Sequence, residues 1–151
     1  MSDERVHRVR LSLEGNYRFT ASFPEVRVAP NITLDEGAPL GEGHGPNPAA
    51  LLGAAVGHCL ASSLLFCLRK ARGDAGALDV EVEVRVARND AGRFRIAGIS
   101  VLLDPAIAEE DQARLDRCES LFEDFCIVTE SVRQGVPVEV RLGDRVLSKP
   151  A

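Results

Sequence analysis

One stretch narrows the possible folds of this chain more than any other. From Pro48 to Leu68 there is no charged residue in 21 positions (PAALLGAAVGHCLASSLLFCL). Asn47 before it is a good N-cap, because its side-chain oxygen can accept from a free amide of the first turn, and Pro48 suits the first helical position. Arg69, Lys70 and Arg72 then complement the negative end of a helix, and Gly73 can stop it. By length alone such a helix can cross a bilayer. Gly53, Gly57, His58, Ser62 and Ser63 lower its hydrophobicity and no second apolar segment accompanies it, so the reading is a buried core helix, not a membrane span. A helix apolar around its whole circumference has to be enclosed on every side. A chain of 151 residues, half of it strand and loop, has little material to do that alone. Gly53 and Gly57, one turn apart, would admit another backbone closely. The expectation is a homodimer in which this helix meets its symmetry mate or the mate's sheet.

The rest of the chain reads mainly as strands. Val6, Val9, Leu11 and Leu13 lead to a Gly15-Asn16 turn, followed by strands at Tyr17–Phe23 and Val26–Val28. Residues 30–47 (PNITLDEGAPLGEGHGPN) form a long loop with room for a short strand; loops of this length are usually functional or meet a partner subunit. Residues 78–88 (LDVEVEVRVAR) alternate strictly, and with 93–103 across a turn at Asn89–Gly92 they make a hairpin with one buried face. Asp104-Pro105 opens a helix over 105–121, a shorter one spans 123–133 and stops at Gln134-Gly135, and PVEVRL and RVL are the last strands. Strand pairs separated by helices, without βαβ alternation, define an α+β fold. With no break in composition, residues 1–151 are expected to form a single domain.

Composition removes several classes of function. The formal charge is -5, from 18 basic and 23 acidic side chains, which argues against a nucleic-acid surface. With no Trp and six Phe beside one Tyr, base-stacking platforms are not expected. The start, MSDERVHRVR, is charged and lacks an apolar stretch, so no signal peptide is read. Four cysteines do not make a disulfide scaffold in a chain this long, and a reducing, cytoplasmic setting is expected in which each is a buried small hydrophobe or a reactive thiol. GEGHG at 41–45 is neither a dinucleotide fingerprint nor a P-loop. His7, His44 and His58 lie in different elements without metal-ligand spacing, so no metal is expected.

That leaves the cysteines. Cys59 and Cys67 are eight residues apart on one helix, about 12 Å, and cannot bond to each other. A disulfide from Cys59 would have to reach Cys118, Cys126 or another chain. Cys59 also lies too deep in the helix for the dipole to lower its pKa, and burial raises it, so a reactive Cys59 requires a cation from elsewhere.

GPNPAALLGAAVGHCL (45–60) resembles the helix start of the OsmC/Ohr family of hydroperoxide reductases, and FCIVTESVRQGVPVEVRL (125–142) resembles the family's second motif, a cysteine opening a short helix that ends at glycine before the final strand. The order and spacing of the elements fit as well. The resemblance implies an intertwined homodimer with curved antiparallel sheets wrapped around long central apolar helices. It implies that Cys59 is the peroxidatic thiol that attacks an organic hydroperoxide and becomes a sulfenic acid. Cys126 would be the resolving thiol, forming a Cys59–Cys126 disulfide that an external dithiol reduces. Arg18, in GNYRFTASF, would be the guanidinium beside the thiolate. No cofactor is implied.

The chain departs from the family pattern in two places. Ala49 and Ala50 stand where family peroxidases carry a glutamate that orients the arginine, with Glu36 and Glu42 as the nearest substitutes, and C-I-V-T replaces the common C-P-x-S. Cys67 and Cys118 take no role from the family and are assigned to core packing. The missing glutamate favours a second reading, an OsmC-fold protein with little peroxidase activity that binds a small hydrophobic ligand in its dimer pocket.

Overall fold

A computed structural model describes residues 4–27 and 30–147. Its contacts divide the chain into two compact units. The first takes the chain up to Ala54 together with Val82–Ser100, and the second takes Ala55–Glu81 and the chain from Val101 onward.

The first unit holds a three-stranded antiparallel sheet, β1 (Arg10–Gly15), β2 (Arg18–Ser22) and β3 (Ile32–Leu34), in that order. The register sets Leu11 opposite Ala21, Leu13 opposite Phe19 and Phe19 opposite Leu34. Asn16 takes the left-handed conformation (φ 48°) that the tight β1–β2 turn requires. Val26 lies outside any strand, and Val28, the other end of the strand expected there, falls outside the described residues.

The loop after β3 is organised around one carboxylate. Asp35 is buried and accepts from the backbone N–H groups of Glu36 (2.9 Å), Glu42 (3.2 Å) and His44 (3.0 Å), with His44 Nδ1 3.3 Å away. The His44 amide, the other amides and the His44 ring outweigh burial and hold Asp35 below the usual carboxylate range. A carboxylate with a lowered folded pKa contributes stability that is complete above its unfolded pKa and is lost as pH falls through the folded value. Asp35→Asn is therefore expected to lower the melting temperature at neutral pH by about 5 °C. The gap to wild type should narrow toward pH 3, as followed by circular dichroism. The substitution leaves one acceptor oxygen where two are used, so it is not a neutral exchange.

Helix α1 (Pro48–Lys70) has the expected boundaries, and Asn47 Oδ1 caps it by accepting from Ala50 N–H at 2.8 Å. It closes with Gly73 N–H donating to Leu68 O (2.9 Å) and with Arg72, not Gly73, in the left-handed position (φ 62°). A Cβ on Gly73 would meet Arg114 Cδ at 2.8 Å, so glycine is needed there for space.

One face of α1 is buried, through Val56, Leu60, Ser63, Leu64 and Leu68. The other, carrying Ala54, Ala55, His58, Ser62 and Phe66, is exposed. The helix is thus long and apolar enough to cross a membrane but is enclosed by this chain on one side only. The glycines do not explain the open side. Gly53 faces the chain's own strand, since a Cβ there would meet Val84 Cγ2 at 2.7 Å and Val82 Cγ1 at 3.3 Å, and Gly57 is buried. Neither glycine admits a second backbone as the sequence reading supposed.

Strands β4 (Leu78–Arg88) and β5 (Phe94–Pro105) form the expected hairpin. Its turn is tied by Asn89 Oδ1, which accepts from Ala91 N–H (3.1 Å) and Arg93 N–H (3.0 Å). From Leu78 to Val84 the apolar residues are half-buried and the polar residues between them exposed, as the alternation dictates.

The second helix is shorter than its sequence suggests. Asp104-Pro105 stays extended because Ala106 N–H donates to Ala77 O (2.8 Å), which prolongs the strand pairing. A 3-10 turn at Glu109–Asp111 then leads into α2 (Gln112–Cys118). The next helical stretch is divided into a 3-10 turn (Phe122–Phe125) and α3 (Ile127–Gln134), with Cys126 between them. β6 (Val140–Leu142) and β7 (Arg145–Leu147) pair antiparallel.

The core of the second unit gathers Leu64, Leu68 and Cys118, with Leu78, Leu103, Ile107, Leu115 and Phe122 packed against them. Cys67 and Cys118 are joined as a disulfide there, with Cα atoms 5.9 Å apart. The sequence reading gave both a role as free packing residues. It could not see that α2 returns the end of its chain to the last turns of α1.

Candidate active site

Cys59 and Cys126 are the free cysteines, the first half-buried and the second buried. α1 supplies Cys59 from its middle, on the flank between the buried stripe and the open face. Cys126 comes from the junction of the 3-10 turn and α3, where it is the N-cap of α3, its Sγ accepting from Thr129 N–H at 3.4 Å. Two ion pairs fix that junction, because Arg133 reaches both Glu123 (2.6 Å) and Glu130 (2.7 Å), bracketing Cys126 from either side.

The two thiols are neighbours, and each acts on the acidity of the other. Around them stand the Thr129 hydroxyl, 2.9 Å from Cys126 Sγ, the Ser63 hydroxyl one turn after Cys59, and the amides of Val128 and Thr129, which act on Cys59. The environment polarises the pair. Burial pushes the Cys59 thiol up, and the neighbouring Cys126 adds to this more than the amides offset. Burial acts upward on Cys126 too, but Cys59, the Thr129 hydroxyl and amide and Ser63 outweigh it and bring its pKa below the ordinary cysteine value. Of the two thiols, Cys126 is therefore the more acidic.

Sequence reasoning looked for a cation to make a thiolate. Besides burial, the groups that act here are instead the partner thiol, the amides at the α3 N-terminus and two hydroxyls. Thr129 was visible as the fourth residue of C-I-V-T, and a cysteine three residues before a threonine at a helix start is a cap pattern; it was read only as a departure from a motif. Ser63 had no signal beyond its spacing of four from Cys59.

The remaining candidates lie in the first unit. Arg18 opens β2 opposite Gly15 and is half-buried. Ala49 and Ala50 line a cavity of about 290 Å³ with Asn47, Gly53, Val82 and Val84. Glu42 is engaged, its Oε2 3.2 Å from His44 Nδ1, and the Glu36 amide serves Asp35. Among the described residues no three His, Cys, Asp or Glu side chains gather in a way that would hold a metal ion.

The long apolar helix, the short helices and the antiparallel strand pairs define an α+β fold, and comparison with known proteins identifies it. A family model for OsmC-like proteins matches residues 41–141, and the chain belongs to that family. The fold is that of solved OsmC structures. It is similar to an OsmC-like protein of unknown function from Vibrio cholerae (14% identity, 85% of this chain and 94% of that one, TM-score 0.66). It is similar also to an organic hydroperoxide resistance protein OsmC from Legionella pneumophila (15%, 87% and 92%, TM-score 0.64). A third likeness is to the organic hydroperoxide resistance protein OhrB of Bacillus subtilis (16%, 85% and 91%, TM-score 0.61). None of the curated proteins compared with the chain matches it.

Proposed function

We propose that the protein is a thiol-dependent peroxidase that reduces organic hydroperoxides to alcohols through Cys59 and Cys126. The observation that carries this reading is the pairing of two neighbouring free cysteines, one half-buried and one buried, at the start of α3, each acting on the acidity of the other. Access selects Cys59 for attack, since it is the less buried residue of the pair.

The Cys59 proton passes to the Cys126 thiolate as Cys59 Sγ attacks the terminal oxygen of the hydroperoxide. The O–O bond breaks, and the departing alkoxide takes that proton and leaves as the alcohol. Cys59 is then a sulfenic acid and Cys126 again a thiolate. Cys126 Sγ displaces hydroxide from Cys59, forming the disulfide, and an external dithiol returns both to the reduced state while becoming a disulfide itself. Cys126 thus serves first as proton acceptor and then as resolving thiol. Thr129, Ser63 and the amides of α3 hold the charge at each stage.

The resemblance adds Arg18 as a guanidinium assisting the thiolate, a cytoplasmic setting, and residues 1–151 acting as one domain. The open face of α1 supports a homodimer as the working form. The hydroperoxide resistance named for the Legionella and Bacillus relatives agrees with the substrate class.

The test is a thiol count. A slight excess of cumene hydroperoxide should remove the two native thiols rapidly and yield a Cys59–Cys126 peptide in mass spectra, with no Cys59–Cys67 link. Two thiols that survive long exposure would end the peroxidase reading and leave ligand binding in the OsmC fold.

A further inference from the structure

The Cys67–Cys118 disulfide is not wholly sealed in the core. Its inner side packs against Leu64 and Leu68. Its outer side forms part of a cavity of about 310 Å³ whose wall also includes Lys70, Arg117, Leu121 and Phe125. Cys67 is half-buried where Cys118 is 1% exposed, so Cys67 is the more accessible residue of the two. Lys70 and Arg117 bring two positive charges to the lining, and among the described residues neither is paired with a carboxylate. A reducible bond in a small open cavity lined by both apolar and cationic side chains fits one kind of visitor: a small thiol that carries carboxylates.

We propose that this cavity is a second redox site, at which a low-molecular-weight carboxylated thiol exchanges with the Cys67–Cys118 disulfide. The thiolate of the visitor attacks Cys67 Sγ, the Cys67–Cys118 bond breaks, and its electron pair leaves on Cys118 Sγ, which takes a proton from water. A second thiol attacks the visitor's sulfur in the mixed disulfide and frees Cys67. The balance is one protein disulfide and two thiols giving a protein dithiol and one small disulfide. Lys70 and Arg117 hold the carboxylates and raise the local concentration of the anionic thiol. The site is independent of the peroxidase reading, since it uses neither Cys59 nor Cys126.

The test compares mercaptosuccinate with neutral 2-mercaptoethanol on the native, oxidised protein. Rates of Cys67–Cys118 reduction are read by alkylation and peptide mapping, each normalised to the same thiol acting on a neutral small-molecule disulfide. Mercaptosuccinate should be favoured by about fivefold, as two solvent-screened charge contacts allow. The preference should vanish in Lys70→Gln/Arg117→Gln and in high salt, survive in Lys70→Arg/Arg117→Lys, and the trapped adduct should map to Cys67. The proposal is overturned by equal normalised rates, by a preference that persists without the two cations, by an adduct on Cys118, or by a bond that no thiol reduces in the native protein.

Discussion

On the proposed mechanism, Cys59→Ser should lower the rate of cumene hydroperoxide consumption by at least about a thousandfold, because serine cannot supply a nucleophile of comparable strength at neutral pH. Cys126→Ser should behave differently. It leaves the attacking sulfur in place but removes both the proton acceptor and the resolving thiol, so oxygen transfer slows and the product stops at the Cys59 sulfenic acid, which dimedone would trap. The two variants are thus separated by the adduct as well as by rate. The pH profile carries the same information. With Cys126 held below the ordinary cysteine value by Cys59, Thr129 and Ser63, the wild-type rate should rise to its plateau at lower pH than an unassisted cysteine would give. Thr129→Val removes one of those donors. It should move the rise to higher pH and cut the neutral-pH rate by about tenfold. A profile unchanged by Thr129→Val would mean that the α3 cap does not govern the reacting thiol. Activity that survives in Cys59→Ser would assign the attack elsewhere.

The elements most legible in the sequence were those whose physics is local. Pro48–Lys70 announces itself by an uncharged run between a cap and a basic end, and 78–88 by strict alternation; both have the expected ends. The helix expected at 105–121 begins late because a strand hydrogen bond, Ala106 to Ala77, comes from a partner 29 residues away. The site divides the same way. Cys59 and Cys126 were singled out through motif resemblance, and helix geometry correctly excluded a Cys59–Cys67 bond. The partner of Cys67 was not legible, because nothing in its neighbourhood encodes the return of α2 to the end of α1. Nor were the groups that lower the Cys126 pKa. A search for a charged side chain overlooks N–H dipoles and hydroxyls, which become visible only when Cys126 is seen as a helix cap.

The Cys67–Cys118 bond should be worth more to stability than any other single contact in the second unit. It closes a loop with a sequence separation of 51 between core positions, and a cross-link of that length restricts the unfolded chain enough to contribute about 4 kcal/mol. Cys67→Ala/Cys118→Ala also removes two sulfurs from the cluster of Leu64, Leu68, Leu115 and Phe122, so the loss is not smaller than the cross-link alone implies. The double variant is expected to melt about 10 °C below wild type, a drop in proportion for a chain of this size. Wild type incubated with a strong dithiol until both sulfurs alkylate should lose most of that margin, whereas the double variant should be indifferent to reductant. The effect should also reach the other cysteine pair. Cys118 and Cys126 stand at the two ends of the segment containing the 3-10 turn; α1 holds the first covalently at Cys67, and the second neighbours Cys59. Releasing the first anchor frees one end of that segment, so Cys59–Cys126 disulfide formation after a peroxide pulse should slow in the double variant even well below its melting temperature. Equal melting points for wild type and double variant, with or without reductant, would show that the bond constrains nothing the core does not already hold.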